Sequence, residues 1–349
     1  TAWGLRQTGT GSAIIRQRRT DIMAYATATE INVTDIPVID ISGLRSGDTD
    51  ARDSVASEML SAAAHLGFFY VSGHGVPQEL IDRTDREARK FFAEPLERKL
   101  ETAINQRHRG FLRVGEAKME GNRLPDLKES FVWGRETPAD DPVAMDPDNP
   151  FIGPNNWPDA RPEMAASFND FYVACNGVGF DLMRAFAVAM GLPEMTFRRI
   201  IDYPISRGAA VYYPPQPVNL DSDQFGVGPH TDYGCLTLVY QDPIGGLEVR
   251  SKQGEWLLAT PVPGTFVVNV GDLLARWTND RFASTPHRVV NRSGRERLSL
   301  AVFVDPNYET MIDPQDVCRE GDEASYPPVL CGDYVLKRYD HAFAYRRKS

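Results

Sequence analysis

Between Arg207 and about Asp305 the chain falls into short apolar segments: "GAAVYYPP", "CLTLVYQD", "LEVRS", "GEWLLATPV", "TFVVNVGD", "HRVVNRSG" and "RLSLAVFVD". Pro, Gly, Asn and Asp punctuate them at nearly regular intervals. Strands at such spacing make a β-sandwich or a jelly roll, and any helices elsewhere in the chain must pack outside it.

The preceding half supplies those helices. A short strand is expected in "DIPVIDISGL", ended by Ser42-Gly43, followed by a helix from Arg52 to Leu66. Val55, Met59, Ala62, Ala63 and Leu66 recur there at helical spacing, and Gly67 stops the run. "FFYVSGHGV" is a strand with a Gly-rich turn, in which His74 reads as a turn residue. Residues 77–103 are helical, with Pro77 near the start. "RGFLRVGE" and "LKESFVWG" are short strands, the second alternating Phe131 and Trp133 against Val132. Pro and Asp crowd residues 137–162 into an irregular connection, and a long helix runs from Pro162 to Gly191. Residues 1–34 read as a disordered tail; within it, 1–22 read as an upstream extension ahead of Met23, with an Arg-rich transit peptide as the alternative. The expected architecture is α+β. An α-rich region, 35–190, supports a β core with a C-terminal helix, 191–349, as one catalytic domain.

Charge narrows the partners. Lys and Arg number 38 against 48 Asp and Glu, a net charge of −10. That balance disfavours a nucleic-acid or anionic membrane surface and favours a small-molecule substrate. Cys175, Cys235, Cys318 and Cys331 are far apart in sequence and form no C-x-x-C pair, so a reducing cytoplasm is expected. No apolar run reaches the roughly 18–20 residues of a bilayer span. The expectation is a cytoplasmic monomer.

Within the strands, polar residues appear where they are costly. "GPHTDYGCLTL" places His230 and Asp232 at i and i+2, which on one strand would point the same way. His287, in "STPHRVVN", could complete the set from a facing strand. Two neutral imidazoles and one carboxylate form the facial triad that holds non-haem Fe(II) with open positions. Taken singly, each residue has a plainer role as a turn cap, a turn start or a surface histidine; their combination with the next motif favours the metal. In "RERLSLAVF", Arg297 and Ser299 share a strand face opposite Leu298, Leu300 and Val302. A guanidinium buried there needs an anion, and that strand supplies no acid. A ligand carboxylate suits its planar fork, with Ser299 adding a hydrogen bond.

The ordered set of H-x-D at 230 and 232, His287 in "HRV", R-x-S at 297 and 299, and "VYYPPQP" resembles the iron- and 2-oxoglutarate-dependent dioxygenases of the isopenicillin N synthase-like group. "IPVIDIS", "GFFYVSGHGV", "GGLEV", "GEWLLATPVPGTFVVNVGDLL" and "NDRFASTPHRVVN" extend the likeness over about residues 35–345. The resemblance implies a double-stranded β-helix, or jelly roll, with Fe(II) on His230, Asp232 and His287. It also implies 2-oxoglutarate bound through its distal carboxylate to Arg297 and Ser299, with Tyr213 as a further hydroxyl donor. The implied reaction uses O2 to oxidise a small-molecule C–H bond, by hydroxylation, desaturation or cyclisation, and releases succinate and CO2. Ascorbate is expected to stimulate it. The alternatives are a 2-oxoglutarate-independent oxidase of the isopenicillin N synthase type and a non-catalytic jelly-roll binding module. Phe131, Trp133, Tyr212 and Phe303 are the expected pocket walls, and the C-terminal segment "YVLKRYDHAFAYR" is expected to form a helix, either one that closes over the pocket or one packed as a structural helix.

Overall fold

The computed structural model describes residues 36–118, 124–196, 201–216, 224–318 and 321–346. The N-terminal tail therefore lies outside the described residues. The chain enters through β1 (Val38–Asp40) and a 3-10 turn, then α1 (Thr49–His65). The Asp48 side chain caps α1 by accepting from the Asp50 and Ala51 N–H groups, and Gly67, at φ 72°, closes its other end with an N–H donated to the Ala62 carbonyl. β2 (Phe68–Ser72) follows, then α2 (Gln78–Phe92) and the short α3 (Leu96–Leu100). The single helical stretch expected over 77–103 is thus split. Pro95 starts the second piece, since its ring cannot continue a helix begun upstream.

After β3 (Gly110–Leu112) and β4 (Glu129–Gly134) comes the long α4 (Pro162–Ala189). The remaining chain forms β5 (Arg207–Tyr213), β6 (Val227–His230), β7 (Leu236–Gln241), β8 (Leu247–Arg250), β9 (Trp256–Leu258) and β10 (Phe266–Val270). A helical turn that the strand pattern did not reveal, α5 (Asp272–Trp277), precedes β11 (His287–Val289) and β12 (Arg297–Val304). A small hairpin of β13 (Met311–Ile312) and β14 (Val329–Leu330) leads into α6 (Cys331–Ala342).

The strands form two principal sheets, one of eight strands in the order β1-β2-β10-β7-β12-β5-β4-β3 and one of four in the order β6-β11-β8-β9. This is the jelly-roll arrangement, enlarged by four strands from the N-terminal region. Alternation along the large sheet separates two apolar layers. One layer, with Phe69, Phe131, Trp133, Ala210, Leu238, Val268, Leu300 and Val302, packs against helical residues such as Met59, Phe91, Phe168 and Phe171. The other, with Phe68, Tyr70, Val132, Ala209, Val211 and Val267, meets Leu247, Val249 and Val289 of the small sheet.

This division corrects three expected pocket walls. Phe131 and Trp133 are fully buried on the helical side, where Trp133 Nε1 donates to the Phe168 carbonyl at 3.0 Å. Tyr212 also points that way, stacked on Phe92 of α2 and donating to Glu296. The physical reason is volume. Large rings fill the thick layer between sheet and helices, whereas the face toward the small sheet must keep space open and carries Ser130, Val132, Ala209 and Val211. Gly208 is needed for the same packing, because a Cβ there would lie 2.3 Å from the Trp133 ring.

Candidate active site

His230 ends β6 and His287 begins β11, and antiparallel pairing sets the two residues opposite each other. Their rings lie 4.2 Å apart, centre to centre. The expectation that His230 and Asp232 share one strand face does not hold. β6 belongs to the small sheet and β7 to the large one, so the chain must turn between them, and Asp232 sits in that turn. The turn is pinned at several points. The Gly271, Asp272 and Leu273 N–H groups donate to the Cys235, Asp232 and Gly234 carbonyls at 2.9, 2.7 and 3.0 Å. Asp305 accepts from the Cys235 N–H at 2.8 Å, an approach that requires Gly234, whose Cβ would otherwise stand 1.8 Å from Asp305 Oδ1.

The three side chains converge. Asp232 Oδ1 lies 3.7 Å from His230 Nε2 and 3.7 Å from His287 Nε2, and one ligand atom from each residue falls within 4.8 Å of the others. A single cation can touch all three. Their supports leave the converging atoms available. His230 Nδ1 faces the Gly228 carbonyl at 2.8 Å and His287 Nδ1 the Thr285 carbonyl at 3.2 Å. A carbonyl only accepts, so each Nδ1 carries a proton, and each ring is held with its Nε2 toward the shared point. Asp232 Oδ2 accepts from Thr237 Oγ1 at 2.5 Å and Asn269 Nδ2 at 2.8 Å, which turns Oδ1 toward the imidazoles. Burial, together with the neighbouring His287, lowers the His230 pKa to about 3, so its ring is neutral. Burial works to raise the Asp232 carboxyl, but the His287 and His230 imidazoles and the Thr237 and Asn269 hydrogen bonds outweigh it and hold the pKa below the ordinary value. Two imidazoles and a carboxylate, each oriented from behind, fit a divalent metal ion of the Fe(II) type.

Two cavities meet at this cluster, sharing Lys128, Val211, His230, Asp232 and Phe303. The first, of about 90 Å³, runs between the sheets to Arg297, Ser299 and Tyr213. Arg297 is 1% exposed and lies 4.6 Å over the Tyr213 ring. Its Nε donates to the Gly245 carbonyl, Nη1 to Ser299 Oγ at 3.3 Å and Nη2 to Gln241 Oε1 at 3.1 Å. All three acceptors are neutral. A guanidinium carries five N–H donors, so one remains on each terminal nitrogen, the fork that grips a carboxylate. Among the described residues no acid forms an ion pair with Arg297, and a small diacid reaching from the metal would supply the missing charge.

The second cavity, of about 100 Å³, opens on the other side of the triad against Ser130, Val132, Arg207, Tyr339 and Phe343. Phe303 lines both spaces, and Tyr339 of α6 with the following Phe343 bring the C-terminal segment against the second. Lys128, His108 and Arg207 were not among the residues singled out from sequence. A detectable signal existed for Arg207, which begins an apolar strand just as Arg297 does.

A family model described as non-haem dioxygenase in morphine synthesis N-terminal matches residues 36–160, and one described as the 2OG-Fe(II) oxygenase superfamily matches residues 205–306. A 2-oxoglutarate-Fe(II) type oxidoreductase of Emericella nidulans is 33% identical over 316 residues, covering 88% of this chain and 90% of the relative. A homoarginine-6-hydroxylase of Oryza sativa subsp. japonica is 36% identical over 327 residues, covering 87% and 96%. Among solved structures, a full-length Neurospora crassa protein in complex with alpha-KG superimposes with a TM-score of 0.78 at 32% identity, covering 89% of this chain and 99% of that one. The same Neurospora protein has also been solved with alpha-KG and thymine.

Proposed function

Because this chain belongs to the 2-oxoglutarate- and Fe(II)-dependent oxygenase superfamily, we propose that His230, Asp232 and His287 hold its iron and that Arg297, Ser299 and Tyr213 hold the distal carboxylate of its cosubstrate. The enzyme is an oxidoreductase that uses Fe(II) and 2-oxoglutarate, and its relatives do not support the cosubstrate-independent oxidase considered from sequence. The observation that carries the residue assignment is the shared wall of the two cavities. One space leads from the triad to a guanidinium with no acid partner among the described residues, and the other is left for a substrate.

Bound Fe(II), with 2-oxoglutarate and O2, supplies oxidation of a C–H bond while the cosubstrate is converted to succinate and CO2. The protein's own residues position and shield. Gly228 and Thr285 hold a proton on each Nδ1 of His230 and His287, which keeps each Nε2 toward the metal. Thr237 and Asn269 keep Asp232 ionised and aimed. Arg297 and Ser299 orient the diacid along the first cavity, with Val239, Leu247 and Ala301 keeping its walls apolar. Tyr339 and Phe343 contribute aromatic rings to the lining of the second cavity.

We propose a small metabolite as substrate rather than a polymer. A space of about 100 Å³ is well under the roughly 300–1,000 Å³ of drug-sized pockets, and the chain carries a net charge of −10. A relative binds a molecule of this scale, the Neurospora protein having been solved with thymine. The test is anaerobic addition of Fe(II) and 2-oxoglutarate, read by the visible charge-transfer band of the chelate. The wild type should form the band; His230→Ala, Asp232→Ala and His287→Ala should each lose it while keeping a folded circular-dichroism spectrum. A full band at stoichiometric iron in any variant would remove that residue from the triad.

A further inference from the structure

We propose that Arg207 is the anchor for a carboxylate on the substrate, so that this oxygenase acts on a small organic acid; the inference rests on the iron and cosubstrate assignment above. Arg207 opens β5 on the same sheet face as the triad and pairs across the ladder with Phe303. Arg297 stands at the far end of β12, six residues from Phe303, or roughly 20 Å along the strand. The two guanidiniums therefore terminate the two cavities, with the triad between them.

The environment of Arg207 is that of a binding group left incomplete. It is 3% exposed, yet its hydrogen bonding among the described residues is one contact, Nη1 to Asp305 Oδ2 at 3.1 Å. Up to four of its five N–H donors remain for a ligand. Arg109, equally buried nearby, serves as the contrast: it donates to the Arg107, His108 and Phe151 carbonyls and lines neither cavity. Asp305 is itself committed on its other oxygen to the Cys235 N–H, so it fixes one edge of the Arg207 fork. The rings of Phe303 and Tyr339 lie 4.6 Å from the guanidinium carbon and hold its plane.

The surrounding charge has the same sign. Lys128 lines the cavity as well, and its contact with Asp126 is a loose 3.7 Å. His108, in left-handed backbone at φ 59° and bonded to the Tyr345 hydroxyl, is held neutral by burial and by the nearby Arg207, Arg109, Arg346 and Lys128. Asp232 is the single acid among the described lining residues, and it is turned to the metal site. Leu112, Val132 and Val211 add an apolar part to the same lining. An anion with a compact hydrocarbon body fits this arrangement, its charged end on Arg207 and its C–H bonds toward the triad.

The test uses full-length protein as its anaerobic Fe(II)–2-oxoglutarate complex and probes it with four- to eight-carbon monocarboxylates, benzoate among them, each against its primary amide. Binding is read as perturbation of the charge-transfer band, and succinate release is followed separately in air. Acids should perturb the band and their amides should not. Arg207→Gln removes the charge and the fork but keeps an N–H that can donate to Asp305, and Arg207→Lys keeps the charge without the fork. Half-saturation by the acids should rise about 10- to 100-fold in Arg207→Gln, the loss expected for a hydrogen-bonded charged contact, and should rise in Arg207→Lys too, while the 2-oxoglutarate titration midpoint keeps its wild-type value. Amides that bind as well as acids, acids that bind the variants as they do the wild type, or a wild-type complex that forms its band but responds to no acid would each overturn the proposal. A wild-type protein that forms no band at all would instead refute the iron and cosubstrate assignment.

Discussion

Arg297→Met separates a cosubstrate anchor from a structural arginine, because the two roles predict opposite effects on the ligand-free protein. The buried guanidinium has three neutral acceptors and, among the described residues, no ion-pair partner. Its charge is therefore poorly compensated until a carboxylate arrives, and replacing such a group by an apolar chain of similar length costs little or is stabilising. Binding should respond the other way. Two charge-assisted contacts at about 1.5–3 kcal/mol each predict a 2-oxoglutarate Kd weakened by roughly 10²- to 10⁴-fold. The assay is thermal unfolding in the presence of Mn(II), with and without 2-oxoglutarate at about 100 times the wild-type Kd. Linkage gives the wild type about 2.7 kcal/mol under those conditions, or roughly 5 °C at about 2 °C per kcal/mol for a large domain. The variant, with Kd raised at least 100-fold, should retain under about 0.5 kcal/mol of that gain. Its ligand-free Tm should match or exceed the wild type. A variant that loses several degrees without ligand yet keeps the full 2-oxoglutarate shift would refute the reasoning and make Arg297 a packing residue.

Thr237→Val removes one of the two donors to Asp232 Oδ2, and should weaken Mn(II) or Fe(II) binding by about 10- to 100-fold in equilibrium dialysis with little change in stability. Trp133→Ala should cost about 3–5 kcal/mol in denaturant titrations because the ring is fully buried against α4, while the folded fraction keeps its wild-type 2-oxoglutarate affinity; an affinity change without a stability loss would return Trp133 to the pocket wall. Gly234→Ala should displace Asp305 from the Cys235 N–H and loosen the Asp232 turn, and is expected to reduce metal affinity as measured by the same dialysis.

The residues proposed for the metal and the cosubstrate stand out in the sequence because they are polar groups in or beside apolar strands, where burial makes them expensive. Residue type and neighbours are enough to show that cost, so a wrong detail did not hide the site. His230 and Asp232 come together through a turn between two sheets, not through strand alternation, and Asn269 and the N–H groups at the start of α5 that fix the turn lie too far along the chain for a local pattern to reveal. The face of β4 was not legible for a different reason. In a half-exposed sheet, alternation of polar and apolar residues tells inside from outside; here both faces of the large sheet are buried, and "SFVWG" offers two apolar faces that differ only in bulk. Bulk then has to be read against layer thickness. The helical side takes Phe131, Trp133, Leu298 and Leu300, whereas the side with the cavities takes Ser130, Val132, Ala209, Val211, Ser299 and Ala301, because small side chains leave the space a ligand needs. Applied to "RLSLA", that rule sets Arg297 on the cavity face; in "RGAAV" it fails, because Gly208 and Ala210 on the helical face are smaller than Ala209 and Val211, Gly208 being the space into which the Trp133 ring packs. At Arg207, on the other end of the same pair of strands, Asp305 at 3.1 Å meets the charge, so what marks it as a ligand group is not a missing counter-ion but the N–H donors that this single contact leaves unused.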